Sequence, residues 1–494
     1  MADESKKSRT WIYWVLFIVT VIAVFFIGML STSIIERRAE RVAKLQPVAD
    51  IGEWETDNSV WGRNYPREYE SWLEQKDTSF HSKYGGSAEI NYLDKYPEMV
   101  VLWAGYGFSK GYNQGRGHVY TIKDIREILR TGGVESSSMP ATCWTCKSSD
   151  VPRLMNKYGV AEFYDGKWIE KGAEVTHPMG CLDCHDPQTM NLRISRPALI
   201  EALERRGKKM EDFTHQEMRS LVCAQCHVEY YFQKDGNYLA FPWDDGFSAD
   251  SMEYYYDKIE FTDWVHKLSK APMLKAQHPD YEFYLTGIHA KRGVACADCH
   301  MPYKVSGGVK FTDHHIQSPL NNVANSCQVC HRESKETLVQ NVYDIQDKIR
   351  EIRAITEETL AKTHIDAQKA WEAGATSEEM APVLKHIRHA QWRWDYAAAA
   401  NSMGFHSPLE TMRVLATSIE RAEKARGMLS TILVSHGQSW PADYPDISTR
   451  LKAQQYIGLD MEFLIKDKEK FLNTVVKEWE KEAATKKTET QKAE

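Results

Sequence analysis

The chain has no cysteine outside a Cys-x-x-Cys pair. All ten cysteines of its 494 residues fall into five such pairs, so none remains for a disulfide between distant segments. Zinc sites of the ribbon type use two pairs for each metal ion, and five is an odd number. A thioredoxin-like redox site would be one pair at a strand–helix junction, which five scattered pairs do not match. The usual structural interpretations of paired cysteines are therefore excluded.

The chain also lacks an excess of positive charge and long alternating runs of polar and apolar residues. Its 62 lysines and arginines face 69 aspartates and glutamates, which gives a net charge of -7. Nucleic-acid binding needs a basic face, so we predict no nucleic-acid partner. The missing alternation predicts little β-structure. The fold class that remains is mainly α.

Four of the five pairs are followed at once by a histidine, which makes them Cys-x-x-Cys-His motifs. In this motif two thiols bond covalently to the porphyrin edge, and the imidazole binds the iron of a c-type haem. Histidine is rare, 18 of 494 residues, so chance does not account for four such neighbours. The motifs are Cys181/Cys184 with His185, Cys223/Cys226 with His227, Cys296/Cys299 with His300 and Cys327/Cys330 with His331.

The remaining pair, Cys143 and Cys146, is followed by Lys147 in the place of the histidine. If Lys147 binds iron in place of a histidine, one of the five haem irons has a different ligand from the other four. We predict that this iron is the site of the chemistry. The alternative for this pair alone is a solvated lysine beside two cysteines that bind nothing. Together the five pairs predict five covalently bound haem c groups.

The N-terminal residues 11–30 form an apolar run without a charged residue. Lys6, Lys7 and Arg9 precede it, which predicts a cytoplasmic N-terminus. The run is long enough to span a bilayer, and no Ala-x-Ala cleavage site follows it. We therefore predict that residues 1–35 are a cytoplasmic tail and a membrane anchor, with the rest on the periplasmic side of the cytoplasmic membrane. The alternative is a cleaved signal segment.

Residues 36–332 hold all five motifs and are predicted to form the haem domain. It begins with a charged, helical tether that extends to about residue 50. The rest is rich in Gly, Pro, Tyr and Trp and has no long periodic segment. This composition, without helical periodicity, predicts short helices and loops around a core built largely from cofactors, as in a multihaem cytochrome c fold.

Residues 333–485 are predicted to form long helices that carry a homodimer interface. Apolar residues from Leu338 to Ile355 recur every three or four positions, as in a helical seam. A second helix is predicted over residues 377–400, with Pro382 in its first turns. A third begins at Pro408 after Ser407 as N-cap, with Glu410 as capping-box partner, and ends near Gly437. A fourth covers residues 449–484, and residues 486–494 are predicted to be a disordered tail.

Several further segments accompany the cysteine pairs. With lysine in the first motif only, the set resembles the pentahaem cytochrome c nitrite reductases, the ammonia-forming enzymes of the periplasm. The resemblance covers nearly the whole exported part of the chain. The segments that carry it are Arg116-Gly117-His118, Leu129-Arg130-Thr131-Gly132, Cys226-His227-Val228-Glu229-Tyr230-Tyr231, Lys275-Ala276-Gln277-His278, Thr312-Asp313-His314 and Gln391-Trp392-Arg393-Trp394-Asp395.

The resemblance implies that Lys147 binds the catalytic haem and that Arg130, Tyr230 and His278 line its open side. These residue types suit nitrite: an arginine holds an anion, and a histidine and a tyrosine supply hydrogen bonds and protons. The other four irons are implied to have two histidine ligands. The implied distal ligands are His314 for the second motif, His118 for the third, His406 for the fourth and His289 for the fifth. His315 competes with His314.

The resemblance further implies one calcium ion beside the catalytic haem. Its ligands would be the carboxylate of Glu229, the amide oxygen of Gln277 and the backbone carbonyls of Tyr230 and Lys275, all hard oxygen donors. The implied electron donor is a membrane quinol-oxidising multihaem cytochrome. Two alternatives stay open: a multihaem electron carrier without a substrate site, and a related enzyme acting on hydroxylamine or sulfite.

Overall fold

The computed structural model describes residues 10–43, 47–137 and 139–493. Within them the fold is mainly helical, so the predicted fold class is confirmed. The helices are α1 Thr10–Ala43, α2 Asn58–Asn64, α3 Pro66–Leu73, α4 Tyr92–Lys95, α5 Glu98–Leu102, α6 Thr121–Glu127, α7 Asp150–Tyr158, α8 Val160–Asp165, α9 Trp168–Lys171, α10 Cys181–Cys184, α11 Pro197–Arg205, α12 His215–Ala224, α13 Ala249–Lys258, α14 Asp280–Thr286, α15 Ile288–Lys291, α16 Cys296–His300, α17 Lys335–Glu372, α18 Ser377–Ala399, α19 Pro408–Ser435, α20 Arg450–Tyr456, α21 Met461–Asn473 and α22 Val475–Ala493.

The strands of the described residues form three small antiparallel hairpins. The strands are β1 Tyr231–Phe232 with β2 Leu239–Ala240, β3 Trp264–Val265 with β4 Pro272–Met273, and β5 Tyr303–Ser306 with β6 Val309–Thr312. This agrees with the prediction of little β-structure. Between α1 and α17, no described helix exceeds ten residues. The haem motifs therefore lie on short helices and turns.

The long C-terminal helices α17, α18 and α19 pack on one another. Leu338, Val342 and Ile349 of α17 are buried, as the apolar seam predicts, but Ile355 is 51% exposed. The buried face shifts because an α-helix turns 3.6 residues per turn and drifts away from a seven-residue repeat. Leu360 continues the buried face beyond the predicted seam.

The predicted start of α19 is right, but its predicted capping is wrong. Ser407 makes no side-chain cap hydrogen bond. Its Oγ instead lies 2.8 Å from the hydroxyl of Thr286, and Glu410 binds Arg413 rather than closing a capping box. The Ser407 hydroxyl therefore takes part in a tertiary contact and does not cap the helix.

The single helix predicted over residues 449–484 is also wrong, because three helices occupy this stretch. α20 ends before Gly458, which has a φ of 68°, a left-handed conformation that glycine adopts without strain. Asp460 then caps α21 by accepting a hydrogen bond from the backbone N–H of Phe463. The last helix, α22, runs to Ala493 through the tail predicted to be disordered, a stretch of helix-forming residues without Gly or Pro.

One contiguous hydrophobic core extends from the haem-motif region into the C-terminal helices. The prediction of a core built largely from cofactors understates it, because large aromatic side chains pack on one another throughout. Seven tryptophans are almost completely buried, and they are Trp61, Trp103, Trp144, Trp168, Trp243, Trp392 and Trp394. Of these, Trp61 lies in a small separate cluster with Ile51 and Leu182.

α1 contains a segment, Trp11–Ile35, that is long and apolar enough to cross a membrane. Its mean hydropathy is 2.6, and none of it is buried against the protein. A core helix of a soluble protein would be mostly buried, so the exposure of this segment is consistent with an anchor or a signal segment. The predicted tether continues as helix through Ala43, and residues 44–46 lie outside the described residues.

Candidate active site and haem-binding motifs

The five Cys-x-x-Cys pairs lie side by side in space, although they are far apart along the chain. All ten thiols are free of disulfides, as covalent haem attachment requires. The pairs are close enough to interact electrostatically: Cys146 with Cys226, Cys223 with Cys296 and Cys184, and Cys299 with Cys327. The pairs thus form a row in the order first, third, fourth and fifth, with the second beside the third.

Cys330, the second cysteine of the fifth motif, differs from the other nine cysteines in its exposure. Cys330 is exposed, whereas the other nine cysteines are partly buried. The adjacent Val329 is 71% exposed, and the side chain of His331 is 48% accessible. The physical reason is position: this motif lies in a turn just before α17, at the end of the row of pairs. Haem attachment needs a reachable thiol rather than a buried one, so the assignment of Cys330 as a haem cysteine stays a prediction.

Each of the four motif histidines faces a second histidine at a nearly constant distance. Two imidazoles bound to opposite sides of one metal ion, with metal–nitrogen bonds of about 2 Å, have ring centroids about 6 Å apart. The facing rings, with the distances between their centroids, are His185–His314 at 6.2 Å, His118–His227 at 6.4 Å, His300–His406 at 6.2 Å and His289–His331 at 6.3 Å. This spacing leaves room for one iron between the two rings of each pair.

Two of the implied ligands have a competing neighbour. His315 does not face His185; its Nδ1 lies 3.4 Å from a carboxylate oxygen of Glu74. The ring of His227, however, lies 6.2 Å from that of His278 as well as 6.4 Å from that of His118. Ring spacing alone therefore favours His314 over His315 but fits both candidates opposite His227.

The backbone around Lys147 is fixed by two side chains from other segments. The hydroxyl of Thr121, at the start of α6, donates to the carbonyl oxygen of Lys147 at 2.7 Å. The buried guanidinium of Arg196 donates to the carbonyl oxygens of Thr145 at 3.0 Å and Ser148 at 2.7 Å. Arg196 also pairs with the buried carboxylate of Asp183. These contacts hold the turn that presents the lysine.

Arg130, Tyr230 and His278 come together beside the first motif. Arg130 interacts electrostatically with Tyr230 and with Cys143 of that motif, and His278 interacts with Lys147 and Arg130. Among the described residues, Arg130 forms no ion pair. Its charge is therefore available to an anion.

The guanidinium of Arg130 lies over the ring of Phe108, at 4.6 Å from the ring centroid. Lys275 approaches the same ring at 4.7 Å. Two cations on one aromatic ring are each attracted to its electron-rich face. Phe108 thus holds the pocket arginine beside the segment of Lys275, which the family resemblance assigns to the calcium site.

His278 is neutral in the surroundings that the chain itself provides. Burial, together with the positive charges of Lys147 and His227, lowers the pKa of His278 to about 3. Its Nδ1 is buried without a hydrogen-bond partner among the described residues. The sequence predicts a proton donor near neutral pH, whereas these surroundings disfavour the imidazolium. An anion beside Arg130 would offset the positive charge, and a lysine amine bound to iron would be uncharged.

The residues assigned to calcium surround a buried carboxylate with little neutralising charge. Glu229 is fully buried and accepts hydrogen bonds from Tyr256 at 3.0 Å and from the backbone of Gln277 at 2.6 Å. Burial raises the pKa of Glu229 well above its usual range, and that of the neighbouring Glu282 to about 8. One oxygen of Glu282 has no hydrogen-bond partner among the described residues. Such an interior fits a cation with oxygen ligands.

Within the part of the chain that the structure describes, no group of three or more His, Cys, Asp or Glu side chains forms a metal site by itself. The side chain of Lys275 points to Asp395, with 2.8 Å between the ammonium nitrogen and a carboxylate oxygen. Its backbone N–H donates to Asp263 at 2.8 Å.

Sequence reasoning missed Arg196 and Phe108, although both hold residues of the candidate pocket. Neither belongs to a motif, and Arg196 acts through backbone carbonyls that any sequence would provide. The burial of a charged arginine indicates that it holds other parts of the fold, but burial can be seen only in a structure.

The chain matches the family model described as cytochrome c552 over residues 57–488. A curated cytochrome c-552 from Porphyromonas gingivalis is 52% identical over 488 residues, which is 98% of this chain and 98% of the relative. Another, from Bacteroides fragilis, is 54% identical over 478 residues, or 96% of this chain and 97% of the relative.

Among solved structures, a cytochrome c nitrite reductase from Desulfovibrio desulfuricans superposes with a TM-score of 0.74 at 32% sequence identity. The match covers 84% of this chain and 91% of that one. The catalytic subunit of that reductase is described as having two calcium sites.

Proposed function

Because the chain belongs to the cytochrome c552 family and is an oxidoreductase of the cytochrome c nitrite reductase type, we propose that it reduces nitrite to ammonium by six electrons at a lysine-ligated haem. The observation that carries this proposal is the meeting of Arg130, Tyr230 and His278 beside Lys147. A carrier without a substrate site has no need of a half-buried arginine without an ion pair there.

The residues of the pocket match what nitrite requires. Conversion to ammonium and two waters consumes six electrons and eight protons, so the site must hold an anion and deliver protons. Arg130 holds the anion with a fixed charge and several donors. Tyr230 and His278 donate hydrogen bonds and protons to the departing oxygens. When bound, the haem would supply an iron that takes the nitrogen of nitrite and passes electrons to it.

The other four motifs would hold haems that pass electrons and are closed to substrate, because the facing histidines would occupy both ligand positions of each iron. The ligand pairs would be His185 with His314, His227 with His118, His300 with His406 and His331 with His289. The ring separations of 6.2 to 6.4 Å support this assignment. For the third motif, His118 is preferred to His278 because His278 is needed beside Lys147.

One calcium ion would shape the pocket. Glu229 would bind it through its carboxylate, Gln277 through its amide oxygen, and Tyr230 and Lys275 through backbone carbonyls. The buried and poorly neutralised carboxylate of Glu229 supports the proposal. Tyr230 would then be held both as a calcium ligand and as a pocket residue.

The partners follow from the reaction. Electrons would come from a membrane quinol-oxidising multihaem cytochrome on the periplasmic side. We propose that the protein works there as a homodimer whose interface lies on the long helices of residues 333–485. The exposed Ile355 of α17 and Val434 of α19 offer apolar surface for such a contact.

The test is the yield of ammonium by the haem-loaded protein. With a chemical electron donor, we expect one ammonium per nitrite and five haems per chain by pyridine haemochrome. The Lys147 site should add one high-spin signal to four low-spin ones in electron paramagnetic resonance. Four haems per chain, or an absorption spectrum that does not respond to nitrite or cyanide, would instead indicate an electron carrier.

We further propose that Trp11–Ile35 is a retained anchor. The segment is long enough to span, and basic residues precede it. The mature, haem-loaded protein should therefore keep its N-terminus and sediment with membranes. N-terminal sequencing checks this directly: a start near Ser31 or Ile34 would show that the segment is a cleaved signal.

A further inference from the structure

The segment that carries Arg130 is held from outside by two adjacent residues of α21, Asp467 and Lys468. Both residues are 4% exposed, although they lie more than 330 positions away along the chain. Their neighbour Lys466 is solvent-exposed, with a side chain 70% accessible. α21 therefore turns two ionisable side chains towards this segment.

Lys468 ties the end of α6 to the turn that contains Arg130. Its ammonium nitrogen lies 3.0 Å from the carbonyl oxygen of Arg126 and 2.9 Å from the hydroxyl oxygen of Thr131. Thr131 is completely buried, and its hydroxyl also lies 2.9 Å from the carbonyl oxygen of Ile128. Since Arg130 lies between these anchored residues, its backbone is fixed on both sides.

Asp467 holds the next stretch of chain. Its carboxylate accepts hydrogen bonds from the backbone N–H groups of Val134, Glu135 and Ser136 at 2.9 to 3.0 Å, and from the Ser136 hydroxyl at 2.6 Å. The chain passes so close to α21 that a Cβ on Gly133 would collide with the carbonyl oxygen of Asp467. Only glycine allows this approach.

The guanidinium of Arg130 has little else to hold it. Among the described residues it forms no ion pair, and its aromatic neighbour is the ring face of Phe108 at 4.6 Å. A long side chain without an ion-pair partner keeps its position only if its backbone is rigid. We propose that Asp467 and Lys468 are positioning residues for Arg130, and that through it they set the affinity of the pocket for the nitrite anion. This inference rests on the proposed function.

A positioning role makes a prediction that a purely structural role does not. Nitrite is an anion, whereas hydroxylamine is largely uncharged at neutral pH and does not depend on a fixed positive charge. A change that makes Arg130 more mobile should therefore weaken the binding of nitrite more than the binding of hydroxylamine. General damage to the fold would lower turnover of both substrates alike.

The experiment compares four variants of the full-length, haem-loaded protein: Lys468→Met, Lys468→Arg, Asp467→Asn and, as the matched control on the exposed side of α21, Lys466→Met. KM and kcat are measured for nitrite and for hydroxylamine. For Lys468→Met we expect KM for nitrite to rise about tenfold while KM for hydroxylamine changes by less than about twofold. Asp467→Asn should change the nitrite KM in the same direction, Lys468→Arg should retain most of the nitrite affinity, and Lys466→Met should match the unchanged protein.

Equal changes for both substrates, or a Lys468→Met variant that matches Lys466→Met, would overturn the inference. If Lys468→Met yields no haem-loaded protein, Asp467→Asn tests the inference instead, through the change in its KM for nitrite relative to the change in its KM for hydroxylamine. An optical titration with nitrite gives the dissociation constant independently of turnover. Absence of nitrite turnover in the unchanged protein would instead reject the proposed function, so the two failures can be told apart.

Discussion

Changing Lys147 to histidine should lower nitrite turnover about 100-fold, at the upper end of what changes around a metal ligand cost. The covalent haem should remain, because Cys143 and Cys146 are untouched and the new motif is an ordinary Cys-x-x-Cys-His sequence. The loss should come from the ligand, since an imidazole differs from an amine in donor strength and in reach. Steady-state nitrite kinetics, with a haem count for each preparation, measure it.

A suitable control is Lys157→His, an exposed lysine of α7 that pairs with Glu174. It should leave both haem content and turnover unchanged. If Lys147→His worked as fast as the unchanged protein, the lysine would have no special role, and the assignment of the first motif as the catalytic site would be wrong.

Replacing His278 with asparagine should lower nitrite turnover roughly 10²- to 10⁴-fold, the range expected for loss of a general acid. All five haems and their spin states should persist, because no iron would lose a ligand. Replacing His406 with alanine should act differently. It would remove the ring that faces His300, so one low-spin iron should become high-spin or the protein should fail to mature.

Electron paramagnetic resonance and haem counting on both variants separate these effects. The ring of His278 lies as close to that of His227 as an axial partner would, so this comparison tests a real ambiguity. Conversion of a low-spin signal to high-spin in His278→Asn would reverse the assignments of His278 and His118.

The haem motifs could be predicted from the sequence because each is a contiguous run of five residues whose chemistry does not depend on the fold. Their burial could not, and the exposed Cys330 shows that a motif of the same pattern can lie at the surface. The facing histidines could not be found in that way either. His406 and His300, for example, come together only through tertiary structure, and the resemblance to a family supplied them.

The side chains that position the pocket escaped sequence reasoning altogether. Arg196, Asp467 and Lys468 act by binding backbone groups of other segments. Because every residue has a backbone, a contact of this kind does not require any particular residue type in the segment that is held, and the sequence of that segment does not reveal it. Burial of the charged side chain is the remaining signal, and it is visible only in the folded chain.

The long C-terminal helices show the same division. Their starts at Ser377 and Pro408 could be predicted from local signals. Their interruption at Gly458 was missed, because the surrounding residues favour helix and the left-handed backbone of one glycine decides the outcome. The prediction that Ser407 caps α19 failed for the opposite reason, because Thr286, which is distant in sequence, binds the Ser407 hydroxyl.

The helix that carries the apolar N-terminal segment does not end where that segment ends. The apolar part stops at Ile35, whereas α1 continues to Ala43, which adds eight residues. At a rise of about 1.5 Å per residue, these residues form a stem about 12 Å tall. If α1 is a retained anchor that crosses the membrane upright, this stem would hold the haem domain about that far from the lipid surface. An electron donor embedded in the same membrane would then need a domain that extends a similar distance above the lipid surface.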